Sequence, residues 1–173
     1  MRNYQQFYIN GAWVDPITPH LLDVINPATE QPAGQISLGS AADVDAAAKA
    51  ARAAFASYSQ TTVEQRVALL ERIIAEYQKR YADMAAAITE EMGAPAMLAQ
   101  KAQAAMGIGH LQSALGVLKH YAFSEVRGTT LVAKEPIGVC GLITPWNWPI
   151  NQIVCKEIHH ASHRTRRCAN HAG

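Results

Sequence analysis

Val139-Cys140-Gly141-Leu142-Ile143-Thr144-Pro145-Trp146-Asn147-Trp148-Pro149 decides the fold of this chain. Residues 139–143 form an unbroken apolar run, the pattern of a strand covered on both faces in a parallel sheet. Pro145 then removes an N–H and fixes φ, so the strand's ladder stops or loosens there. Ligands of open α/β sheets gather at the carboxyl ends of strands. Asn147 therefore projects its amide where a substrate would sit. That amide has two N–H donors and does not ionise, which suits it to stabilising an oxyanion. Trp146 and Trp148 would wall such a pocket against water. The same residues also fit a plainer arrangement, with Asn147 capping the next helix and the tryptophans in the core.

Upstream, residues 7–38 alternate short apolar stretches with turn signals. Phe7-Tyr8-Ile9 and Ala12-Trp13-Val14 flank Asn10-Gly11, a strong hairpin signal. Residues 22–25 and 34–38 flank Asn26-Pro27-Ala28-Thr29. The reading is two β-hairpins, followed by three helical stretches. Ser40 with Asp43 resembles a capping box, and Val44, Ala47, Ala48, Ala51, Phe55 and Tyr58 share one face. Thr61-Thr62 opens a second helix whose stripe runs Val63, Val67, Leu70, Ile74, Tyr77 and continues to Met92, ending at Gly93. The third spans about 97–122, with Ile108, Leu111, Leu115, Leu118 and Ala122 on one side and Gly107, Gly109 and Gly116 inside it as close-packing positions. Gly107 does not follow a strand, so Gly107-x-Gly109 is not a dinucleotide fingerprint. Val126–Lys134 returns to strand character. Hairpins, then helices, then a buried-type strand give an α/β architecture.

The whole chain has 173 residues, a net charge of +1 and 49% hydrophobic residues. That balance describes a globular domain and argues against disorder and nucleic-acid binding. No apolar run reaches a membrane span, and no signal-peptide core precedes the first strand, so a cytoplasmic location is the default. Three cysteines do not make a disulfide framework.

Residues 7–156 resemble the N-terminal part of an NAD(P)-dependent aldehyde dehydrogenase. The resemblance is carried by Phe7-Tyr8-Ile9-Asn10-Gly11-x-Trp13, Asn26-Pro27-Ala28-Thr29, Glu135-Pro136-x-Gly138-Val139 and Thr144-Pro145-Trp146-Asn147-x-Pro149, in the family's order. It implies an incomplete Rossmann-like cofactor domain over residues 1–156. It also implies NAD as cofactor, an aldehyde as substrate, and an oligomerisation arm at about 124–136. In this family a cysteine thiolate attacks the aldehyde, the thiohemiacetal oxyanion is held by the asparagine matching Asn147, hydride passes to the nicotinamide, and a glutamate activates water. The same resemblance makes Ile143, Thr144, Pro145, Trp146 and Asn147 a wall of the cofactor cleft.

Departures begin after Lys156. The family pattern continues as an alanine-rich helix and a strand carrying the lysine and glutamate that hold the adenosine ribose. Residues 157–173 instead form a basic, histidine-rich tail with Arg164, Arg166 and Arg167. Codons for Arg164–His171 can be chosen so that a one-base shift spells an alanine-rich stretch like the family's, so truncation by a frameshift is the expectation. The nucleophilic cysteine and the glutamate base are then missing, and the chain alone is expected to be inactive. Cys140 and Cys155 read as small buried hydrophobes rather than nucleophiles, and Cys168 has only Arg167 to activate it. Cys155, His159, His163, Cys168 and His171 are of metal-ligand type but match no standard spacing, so no metal site is assigned. The strand 139–143 is expected to lack sheet neighbours. The alternative function is a truncated subunit that associates through Val126–Lys134 without catalysis.

Overall fold

The computed structural model describes residues 2–162 and 167–169, with side chains for residues 3–156. Strands β1 (Arg2–Tyr4), β2 (Phe7–Ile9), β3 (Ala12–Val14), β4 (Leu21–Asn26) and β5 (Gln31–Ser37) come first. Strands β2 and β3 form the expected hairpin, with Asn10 and Gly11 at φ 54° and 84°, the left-handed pair that a tight hairpin turn demands. Strands β4 and β5 pair antiparallel as expected, and Asn26 Oδ1 accepts from the Ala28 amide to shape their turn. Strand β1 adds a parallel partner on the other edge of β5, giving the order β1-β5-β4.

Helix α1 (Ala41–Tyr58) opens on the capping box read from Ser40 and Asp43. Asp43 also accepts the Ile17 amide at 2.9 Å, tying the chain after β3 to the helix start. That amide first, then the Ser40 hydroxyl and amide, hold the Asp43 carboxyl below the usual carboxylate range. Val44 and Ala48, expected on the buried face, are exposed, while Ala51 is buried. Helix α2 (Val63–Lys79) carries a second capping box between Thr62 and Gln65. The expected continuation is broken at Arg80, whose φ of −99° and ψ of 8° separate α2 from α3 (Tyr81–Met92). Helix α3 ends at Gly93, as its position before Pro95 implies.

The third helical stretch is not one regular helix. A short α4 (Ala96–Leu98) runs into a π-helical turn at Ala99–Gln103 and then α5 (Ala104–His120). A π turn displaces backbone carbonyls from the ordinary ladder. One carbonyl of this turn finds a tyrosine, since Tyr81 Oη donates to Gln100 O, and just beyond the turn Tyr77 Oη donates to Ala104 O at 2.8 Å. Of the three glycines read as packing positions, only Gly107 has close neighbours; a Cβ at Gly109 or Gly116 would meet open space.

Strands β6 (Ser124–Arg127) and β7 (Thr130–Ala133) form an antiparallel hairpin, so Val126–Lys134 is not the single strand that its composition suggested. Gly128 has φ 62°, which lets the chain reverse there. Strand β8 (Cys140–Leu142) follows, then α6 (Pro149–Ser162) and β9 (Arg167–Ala169). Strand β9 pairs parallel to β8, which corrects the expectation of a strand without neighbours. The helix α6 crosses residue 156 without a break.

The core lies between α2, α5 and α6: Leu70, Tyr77, Leu111, Leu118 and Val154 are buried, with Val63, Val67, Ile74, Ile108, Leu115 and Ile150 against them. The α2 and α5 members are the stripes read from the sequence, except that Ala122 is exposed, while Ile150 and Val154 of α6 were not read. A smaller cluster of Ala85, Ile88, Ala94, Ala99 and Ala104 joins α3 to the π turn.

Burial, and secondarily the neighbouring Tyr81, push the Tyr77 phenol up to about 12 from 10.0. A raised phenol pKa favours the protonated folded state, so its contribution is complete below pH 10 and lost as pH rises toward 12. Tyr77→Phe is expected to cost about 1 kcal/mol at neutral pH, the net worth of one hydrogen bond, and to flatten the alkaline fall in stability. Urea unfolding of both proteins from neutral to alkaline pH measures this; parallel alkaline slopes would contradict it.

Candidate functional site

The turn between β8 and α6 gathers the residues singled out by the sequence. Ile143 is 83% exposed and Trp146 is 76% exposed. Pro145 and Asn147 are exposed, and Thr144, Trp148 and Pro149 are half-buried. Residues 143–147 therefore form one shelf at the carboxyl end of β8, with four of the five facing solvent and Thr144 half-buried among them. The expectation of a strand covered on both faces is corrected here, since Gly141 and Ile143 are exposed and Cys140 and Leu142 are only half-buried. Trp146 does not close a pocket against water among the described residues.

The plainer reading of Asn147 as a helix cap does not match the helix boundary. Helix α6 begins at Pro149, a favoured first helical residue. The capping position is then Trp148, whose carbonyl accepts from Gln152 at 3.0 Å. Asn147 stands one residue outside, its amide facing solvent.

Three contacts fix α6 under this shelf. Gly107 on α5 is buried, and a Cβ there would come within 2.5 Å of Tyr77 Oη and 2.7 Å of Ile150 Cγ2. Its missing side chain lets α5 and α6 approach directly below the turn. Three residues further along α5, His110 Nε2 lies 2.6 Å from Asn151 Oδ1. At the other end of the excursion, Lys156 Nζ donates to Ile143 O and to Gln152 Oε1, each at 3.2 Å. Close packing at Gly107 was expected from the sequence, but its partner Ile150 and the other two contacts were not. Gln152 and Lys156 do lie four apart, the helical spacing of a side-chain pair, but the reach back to residue 143 has no local signal.

Cys155 Sγ donates to Gln152 O at 3.7 Å, an ordinary bond to the preceding helical turn, and Cys140 sits half-buried in β8. No group of three or more His, Cys, Asp or Glu side chains able to hold a metal occurs among the described residues. Of the weighed ligand set, His163 and His171 lie outside the described residues, as do Arg164 and Arg166, and the side chains of His159, Arg167 and Cys168 are not described. No helix among the described residues is long and apolar enough to cross a membrane.

A family model described as "Aldehyde dehydrogenase family" matches residues 13–161. A 3-succinoylsemialdehyde-pyridine dehydrogenase from Pseudomonas sp is 52% identical over 157 residues, covering 90% of this chain and 33% of the relative. A putative aldehyde dehydrogenase from Staphylococcus aureus is 47% identical over 156 residues, again 90% of this chain and 33% of the relative. The chain thus spans about a third of the length of the curated relatives it matches. Among solved structures, an aldehyde dehydrogenase from Bartonella henselae superposes with a TM-score of 0.95 at 42% identity, covering 98% of this chain and 36% of that one. A mutant of aldehyde dehydrogenase C from Pseudomonas syringae, complexed with NAD+ and octanal, superposes with a TM-score of 0.93 at 42% identity, over 95% of this chain and 34% of that one.

Gly107→Ala is expected to destabilise the protein by about 1–3 kcal/mol, the range for overpacking a tight contact, because the added methyl meets Tyr77 and Ile150 together. Gly109→Ala, with open space around it, is expected to be neutral or stabilising. Thermal unfolding of the two variants checks the contrast; equal effects would contradict it.

Proposed function

The chain belongs to the aldehyde dehydrogenase family, and from that premise we propose that residues 143–147 form one wall of an NAD-binding cleft in which Asn147 stabilises the oxygen of an aldehyde being oxidised to a carboxylate. The observation that carries this reading is the position of the Asn147 amide, free to solvent on the turn that joins β8 to α6. The chemistry of the shelf suits a dinucleotide: exposed residues at Ile143 and Pro145, an exposed indole at Trp146, and a neutral amide. When bound, the nicotinamide ring supplies the hydride acceptor. The work of this chain's residues is orientation and charge. The Asn147 N–H groups donate to the carbonyl oxygen as negative charge builds on it, and an amide does so without exchanging a proton with the substrate. The NAD+ complex of the Pseudomonas syringae relative supports the choice of cofactor.

The attacking thiolate and the base that activates water are not assigned to this chain. Cys155 is engaged with its own helix and Cys140 lies within β8. The reading therefore has two expected outcomes. The 173-residue chain mixed with NAD and acetaldehyde forms no NADH; turnover above a protein-free control would contradict it. In a protein of the relatives' full length carrying these residues, Asn147→Ala lowers kcat by about 10²–10³-fold, the cost of one oxyanion donor, while NAD affinity changes far less. An unchanged kcat would remove Asn147 from the mechanism.

A second reading, association through the β6–β7 hairpin, is favoured by one observation. Val126 and Leu131 are directly paired across the hairpin and are 74% and 65% exposed. Two apolar side chains presented side by side on a two-stranded ribbon suit burial against another protein surface. Homo-oligomerisation is the form of association proposed. Replacing both residues by lysine is expected to lower the mass observed by light scattering while leaving the circular dichroism unchanged; an unaltered mass would contradict the hairpin's role.

A further inference from the structure

We propose that Lys156 is a positioning residue that fixes the backbone of the 143–147 turn by clamping the Ile143 carbonyl. The proposal rests on the reading of that turn as a cofactor wall, and it concerns the wall's geometry rather than the binding itself.

The need for a clamp follows from the strand's end. Leu142 is the last residue of β8 in register with β9, so Ile143 lies beyond the ladder. Two residues on, Pro145 has no N–H with which to close a turn. The Ile143 carbonyl has no ladder donor, and Lys156 Nζ supplies one at 3.2 Å. A second N–H of the same ammonium goes to Gln152 Oε1 at 3.2 Å, which directs the head group along α6 rather than into solvent. An ammonium has three donors and a flexible stem, so two fixed acceptors are needed to hold it in one place.

Residues 144–155 thus form an excursion that begins and ends at this contact. Its far side is already fixed, because Ile150 packs at Gly107 and Asn151 meets His110. The clamp closes the remaining freedom between strand end and helix. Lys156 is not part of either buried cluster, so removing its head group frees the turn without unpacking α6.

The test uses the 173-residue chain labelled with ¹³C at isoleucine carbonyls and ¹⁵N at threonine amides. Ile–Thr peptide bonds occur at 17–18, 88–89 and 143–144, so the last reports on the clamp and the others on the fold. Lys156→Met is expected to displace the 143–144 cross-peak alone, and Lys156→Arg, which keeps the donors, to restore most of the displacement. An unmoved peak in the Met variant, or equal displacement by Met and Arg, overturns the proposal. A measurement on the unaltered chain stands beside it. Reductive methylation with limiting formaldehyde is expected to modify Lys156 about fivefold more slowly than the exposed Lys49 and Lys101, the population ratio that an ordinary hydrogen bond sustains. Equal rates overturn the clamp. Failure of NAD to bind a protein of the relatives' full length that carries these residues, with both of these results as expected, would overturn the cofactor reading and leave the clamp standing.

Discussion

The close crossing of α5 and α6 at Gly107 is the constraint from which the site's geometry follows. At that point a phenol oxygen and an isoleucine methyl both occupy the space that a side chain would fill. The phenol is held there by its hydrogen bond to the carbonyl of Ala104, the first residue of α5. The isoleucine is there because α6 must start immediately after the turn that carries Asn147. One glycine thus reconciles a buried hydrogen bond on α2 with the entry of α6. Interiors are packed densely enough that neither neighbour has room to yield cheaply.

The helical core explains how a chain spanning a third of its relatives' length still builds a supported turn. Leu70, Tyr77, Leu111, Leu118 and Val154 come from three helices that all lie within residues 63–162. Their burial depends on no strand. The strands are the less protected part: Leu21, Leu22 and Ile25 of β4 remain substantially exposed, as does the β6–β7 hairpin. Apolar burial therefore holds the floor beneath the 143–147 turn, while the shelf itself is left open.

Legibility in the sequence followed the range of the interaction. Both capping boxes, the Asn10-Gly11 turn, the end of α3 at Gly93 and the α2 and α5 stripes were readable because each is decided within a few residues. The break at Arg80 was not, since the apolar stripe runs straight through it. The π turn was hidden for the same reason: Ala99–Gln103 is good helical sequence, and the tyrosine that meets its Gln100 carbonyl lies 19 residues away. The hairpin at 124–133 was read as one strand because Gly128-Thr129 is a weaker turn signal than Asn10-Gly11. At the site, the shelf residues were legible as a local motif. The contacts that hold them were not, because Gly107–Ile150, His110–Asn151 and Lys156–Ile143 join residues that no short window contains.

The chemistry of the shelf is consistent with how it is held. An amide that neither gains nor loses a proton does not need burial or a neighbouring charge to tune it. For the proposed oxyanion role it needs a fixed direction, because such a donor acts through placement against charge that develops late. Direction is set by backbone: a proline that limits φ at 145, a helix that begins at Pro149, and a lysine that ties residue 143 to that same helix. The two prolines restrict the chain before any contact is made, and the lysine restricts it afterwards. An exposed polar side chain on a doubly tethered turn is how a fold can present a donor outward without leaving its aim to thermal motion.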